Sequence, residues 1–159
     1  MSQRGEALND RFQAFNREMI GFVESCPDSV WGQMIEDEQR TVGVLVHHVG
    51  AGHYGASLQF CQMLVAGEPW PNVTWEMIHN GNAEHAAENA GVTKEASLKA
   101  LRENGAAITS FITGLDDAAL DRRANSEAFG GEIGVEAIVD NLIIGSGGGH
   151  LEKMKAVSV

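Results

Sequence analysis

The sequence has no long apolar run, only two cysteines, and half as many basic as acidic residues. Each shortage removes a class of function. Apolar stretches of a few residues fall far short of the ~20 that a membrane-spanning helix needs, so no membrane partner is expected. Eleven Lys and Arg against 22 Asp and Glu give a net charge of −11. A surface of that sign repels phosphate backbones and anionic lipid, which argues against nucleic acid as a partner. Cys26 and Cys61 form no CxxC pair and read as reduced, buried, small apolar groups. No basic-then-apolar leader opens the chain, and the expected location is cytoplasmic. Strand signals are missing too: there is no sustained alternation, no Asn-Gly hairpin and no βαβ rhythm. No internal repeat, coiled-coil heptad or low-complexity tail stands out.

What is present is helical periodicity. Leu8, Phe12, Phe15, Met19, Phe22 and Val23 recur at spacings of three and four, predicting a helix over 5–25 that ends at Cys26-Pro27. A longer helix is expected over 41–65, stopped by the run Gly67-Glu68-Pro69-Trp70-Pro71. Thr74 and Thr93 are positioned to cap helices reaching about Asn89 and Thr113, with Gly91 and Gly114 just past their ends. Residues 116–122 read as a short helical turn, 126–134 as a glycine-rich loop, and the rest as a last helix to about Ala156. With 43% hydrophobic and 21% charged residues, the 159-residue chain suits one domain spanning 1–159. The fold class is therefore all-α: a four-helix bundle with one or two extra short helices.

The chemistry lies in the histidines. On the last helix, at ~100° per residue, His150 points from the middle of the apolar stripe into the bundle, with Ser146 one turn earlier on the same face. Four glycines (Gly145, Gly147, Gly148, Gly149) crowd the turn before His150, at about 1 kcal/mol of helix propensity each. On the second helix, "TVGVLVHHVGAGHYGASLQF", His53 falls near the centre of the apolar stripe, His48 at its edge and His47 toward solvent. Gly52 and Gly55 share the His48 face. A lone histidine on an apolar face is most often a satisfied core residue; facing glycines leave room for close packing or for a pocket. His79 and His85, on the short third helix, read as surface histidines, with Trp75 one turn before His79.

The stretches "RTVGVLVHHVGAGH" and "NLIIGSGGGHLEKM" resemble the second and last helices of the DinB/YfiT-like metalloenzymes. A fainter likeness runs through "WEMIHNGNAEHA" and "GLDDAALDR". The resemblance implies a four-helix bundle holding a divalent metal through three histidines, one from the second helix and two, at i and i+4, from the last. By position these are His48, Ser146 and His150. Serine is a poor ligand for zinc or nickel, so the metal is expected to be weakly held or absent. Otherwise Ser146 would reach the metal through water, or His79 or His53 would supply the third arm. On an α-helix His53 lies ~140° around from His48, which makes His79 the better candidate. His48 and His150 ring nitrogens should approach within roughly 3–5 Å. Relatives of this type are thiol-dependent transferases or isomerases, implying a low-molecular-weight thiol cofactor and a small-molecule substrate in a pocket built from Gly52, His53 and Gly147. The competing readings are a metal-free bundle that binds a small apolar ligand or acts in stress, and a structural homo-oligomer such as a homodimer.

Overall fold

Ser2 opens the first helix, its Oγ accepting from the Gly5 amide at 3.1 Å. The architecture that follows comes from a computed structural model describing residues 2–157. Helix α1 (Gln3–Ser25) buries Leu8, Phe12, Phe15, Met19 and Val23, one apolar stripe at helical spacing. A one-turn helix α2 (Asp28–Trp31) leads into strand β1 (Met34–Ile35), a 3₁₀ turn (Glu36–Glu38) and strand β2 (Arg40–Thr41). A continuous rod over 42–66 comes next: α3 (Val42–His47), a π-helical segment (His48–His53) and α4 (Tyr54–Ala66). Helix α5 (Trp75–Glu88) is capped by Thr74, which accepts from Met77 N at 3.2 Å. Helix α6 (Lys94–Thr113) is capped by Thr93 through Ala96 N at 3.1 Å. Then come α7 (Asp117–Leu120), strands β3 (Arg123–Ser126) and β4 (Gly131–Gly134), α8 (Val135–Ala137), a second π-helical segment (Ile138–Gly145) and α9 (Ser146–Val157).

The four long rods form the bundle: α1, the 42–66 rod, α6 and the 135–157 rod pack around one contiguous apolar core. Leu45, Val46 and Val49 meet Leu101, Ile108, Ile143, Leu151 and Met154 there, all nearly or fully excluded from water. At about 1.5–3 kcal/mol per buried large aliphatic or aromatic side chain, this core is the main favourable term. Cys26 and Cys61 are free and buried within it, as their isolation suggested. No helix among the described residues is long and apolar enough to cross a membrane.

Two features depart from the sequence reading. Strands do occur: β1 and β2 pair antiparallel with Ile35 opposite Arg40, and β3 and β4 with Ser126 opposite Gly131. Each hairpin is closed by four residues, a 3₁₀ turn plus one left-handed residue: Gln39 at φ 56° in the first, Gly130 at φ 85° in the second. Neither uses the two-residue turn that makes hairpins readable from sequence. The second departure is a repeat of elements. A long helix, a one-turn helix, a hairpin and a rod interrupted by a π segment occur in that order twice, on either side of α5. What the halves share is the order of their elements.

Candidate metal centre

The π segment decides where the histidines point. Its backbone bonds run i→i+5, so residues five apart lie about one turn apart and share a face. In a regular α-helix His48 and His53 would diverge by ~140°; here their Nε2 atoms lie 3.0 Å apart and their ring centroids 4.6 Å. His150, from α9, closes the group. Its ring centroid is 5.5 Å from that of His48 and 5.3 Å from that of His53. One ring nitrogen from each of the three lies within 4.8 Å of the others.

Two of the three rings are fixed from behind. His53 Nδ1 is 2.7 Å from the carbonyl oxygen of Leu142, in the second π segment. A carbonyl can only accept, so Nδ1 carries the proton and Nε2 presents its lone pair to the centre. His150 Nδ1 donates to Glu38 Oε1 at 3.1 Å, again leaving Nε2 free. A carbonyl and a carboxylate behind imidazoles are the partners that orient metal-binding histidines and raise their basicity. His48 is 6% exposed, and a Cβ at Gly52 would stand 3.2 Å from its Nδ1, so the glycine leaves the ring its space.

Burial holds the group neutral. It pushes His48 down to about 2, helped by the neighbouring His53, and His53 down to about 4 despite the Leu142 carbonyl. His150 is lowered by burial as well, against the pull of Glu38. Neutral imidazole is the form that ligates a metal. Two ligands of one tetrahedral zinc at ~2.0–2.1 Å stand about 3.3 Å apart, close to the His48–His53 separation. Two lone pairs facing each other at 3.0 Å repel unless a cation, or a proton on His48 Nε2, lies between them. The donor set fits a divalent metal ion.

Glu38 comes from the first hairpin and ties it to the last helix. Its Oε1 accepts from His150 and, at 2.8 Å, from Lys153, and its Oε2 accepts from Arg40 at 2.6 Å. Burial alone would raise its pKa; the Lys153 and Arg40 bonds prevail and bring it to about 2. The centre opens into a cavity of about 610 Å³ whose walls include Phe60, Phe129, Ile78 and Leu142, with Arg40, Lys153 and Glu38 near the histidines.

Several expectations need correction. His79 is exposed, beside Trp75 at 6.1 Å, and is no part of the group. Ser146 lines the cavity, but its Oγ donates to the Asn141 carbonyl at 3.2 Å. The third imidazole is His53, which α-helical geometry points away from His48 and the widened helix turns toward it. Gly52 and His53 line the cavity; Gly147 does not, because Phe15 and Val49 fill the space beside it. Gly149 lines the cavity instead. Nor are His47 and His85 solvated: His47 Nδ1 meets His85 Nε2 at 2.8 Å, the rings stack at 5.0 Å, and burial lowers both. Glu38 and Arg40 were missed, Glu38 lying in the acidic run 36–38. Nothing in that run shows that its last carboxylate turns inward.

A helical bundle with a histidine-lined cavity and a donor set suited to a divalent metal is the class these observations define. Among solved structures, the chain has the fold of YfiT from Bacillus subtilis, described as a probable metal-dependent hydrolase with an unusual four-helix bundle topology. The two align with a TM-score of 0.75 and 16% identity over 99% of this chain and 88% of that one. No protein-family model matches the chain, and no curated protein does.

Proposed function

We propose that the cavity is the active site of a divalent-metal enzyme in which His48, His53 and His150 hold zinc or nickel. The observation that carries this is three neutral, convergent imidazoles, two of them with the tautomer fixed for ligation by Leu142 and Glu38. A divalent ion with one open position would lower the pKa of a thiol or water reaching it. Thiol-dependent transfer or isomerisation is the reaction we favour, because of the state of the cavity's carboxylate. Hydrolysis, the activity suggested for the YfiT neighbour, works best with a base to take a proton from water. The only carboxylate lining the cavity among the described residues is Glu38, which is bonded to three donors and stays ionised down to about pH 2. So weak a base suits a thiol, which loses its proton on ligation, better than water. Apolar walls would exclude solvent from the transferring group, and Glu38 would hold His150 in place throughout. A small-molecule substrate, a homodimeric state and a cytoplasmic location belong to the same proposal; two free buried cysteines suit a reducing compartment.

The test is elemental analysis of protein purified without a nickel column, followed by cobalt(II) loading. One equivalent of metal is expected, with a thiolate-to-cobalt charge-transfer band on adding glutathione, bacillithiol or mycothiol. Metal binding without a band from any thiol, together with ester hydrolysis, would favour the hydrolase. Failure to hold zinc, nickel or cobalt would leave a metal-free ligand-binding bundle, which the apolar cavity also permits.

A further inference from the structure

Arg40 has a free hand. Its Nη2 is bonded to Glu38, while its Nη1 is buried with no partner among the described residues. A guanidinium N–H left without an acceptor is costly, and such groups are normally satisfied by protein, by ordered water or by what the protein binds. Arg40 lines the cavity beside the histidines, so a small turn of its guanidinium would bring Nη1 to an acceptor held there. His85 Nδ1, in the same lining, is also buried without a partner. The charges agree in sign. The chain carries −11 overall, yet the ionised side chains of the cavity lining are Arg40, Lys153 and Glu38, a local balance of +1 before any metal is added. The far walls are apolar, with Phe60, Phe129 and Ile78.

We infer that this cavity selects an amphipathic anion, an apolar body ending in a carboxylate, and that Arg40 Nη1 is the residue that reads the charge. This names the substrate class of the proposed active site and rests on that reading for its catalytic meaning, but the recognition itself requires no metal. A guanidinium suits the task because its fixed fork can serve Glu38 with one arm and a ligand oxygen with the other. Lys153 adds field strength but offers one flexible ammonium, already bonded to Glu38.

The test is calorimetric titration of octanoate against octanamide, which share an apolar tail and differ in charge, on zinc-loaded and metal-free protein. The wild type should prefer octanoate in both forms. Arg40→Met should cut octanoate affinity by at least ~10-fold and leave octanamide unchanged. Should Arg40→Met not fold, Arg40→Lys carries the test. Lysine keeps the charge and can keep the Glu38 bond, but it has no second arm, and several-fold of the preference should still be lost. Equal affinities for the two probes in wild type, no binding of octanoate, or a preference that survives the substitution of Arg40 would each overturn the inference. An Arg40-dependent preference in a protein that takes up no zinc would sink the metal reading alone.

Discussion

The two halves of the bundle share a backbone plan and divide the chemistry. In the first, the π segment carries His48 and His53 and the hairpin carries Glu38 in its turn and Arg40 in its second strand. In the second, the corresponding π segment carries no histidine and supplies a carbonyl, that of Leu142, to orient His53. The hairpins match residue for residue across the turn: Phe129 stands where Glu38 does, Gly130 where Gln39 does, and Gly131 where Arg40 does. Glu38 and Phe129 both face the cavity, one charged and one aromatic. One backbone element, used twice, thus makes a polar end and an apolar end of the same chamber. The π widening is what both ends require, since it turns a helix face far enough for a side chain or a carbonyl to reach the centre.

Removing a ligand from the first half should have the largest effect. His53→Ala leaves two imidazoles and should lower zinc affinity by more than the ~10–100-fold typical of losing a supporting partner. His79→Ala should change nothing. Equilibrium dialysis against a zinc indicator checks both. Loss confined to His79→Ala would mean that α5, not the π segment, completes the site.

Acid should loosen this end of the molecule through the same residues. In the metal-free protein, folded His48 and His53 titrate near 2 and 4, below the ordinary histidine value of 6.5, and His150 is lowered too. The unfolded chain therefore binds more protons as pH falls below ~6.5, and stability declines from there toward pH 4. The slope is at most about 1.4 kcal/mol per pH unit for each group, and bound zinc should keep it at least as steep, because the ion holds the folded nitrogens unprotonated. Urea melts of both forms between pH 7.5 and 4.5 measure this. A flat profile in the metal-free protein would show that the rings are wetter than the structure has them.

What could be read in advance follows the same division. Helices, caps and core were legible because apolar spacing and threonine caps are local signals: Thr74 and Thr93 cap where their sequence positions say they should. The π segments were not. No side-chain preference separates i→i+5 from i→i+4 bonding, and the one hint was glycine, at Gly50 and Gly52 between the two histidines. Placing His53 therefore depended on a backbone choice made by tertiary packing. Asn104, on α6, donates to the Gly50 carbonyl at 2.8 Å and helps hold that choice.

Glycine in the second half tests packing apart from chemistry. A Cβ at position 147 would lie 2.7 Å from Phe15 Cζ, so Gly147→Ala should cost about 1–3 kcal/mol through overpacking. At position 148 nothing lies within 4 Å, and Gly148→Ala should stabilise the helix by up to ~1 kcal/mol. Thermal melts with and without zinc should show opposite shifts in Tm for the two variants. Zinc stoichiometry should stay unchanged in both, since neither position lines the cavity.

Ser146→His should have little effect on zinc, and that result is informative. Ser146 and His150 stand one α-helical turn apart on α9, the spacing at which two imidazoles can share an ion. If His53 already supplies the third nitrogen, an added imidazole at 146 has at most the open position to enter, and zinc stoichiometry should remain at one. The same substitution in a His53→Ala background is a different matter. There the third ligand would pass from the first half to the second, from the π segment to the last helix, and binding lost through His53→Ala should return at least in part. Zinc titrations of the two single variants and the double variant distinguish these outcomes. A gain in affinity from Ser146→His alone, equal to that in the His53→Ala background, would mean that His53 contributes nothing to the site and that the widened helix serves packing rather than ligation.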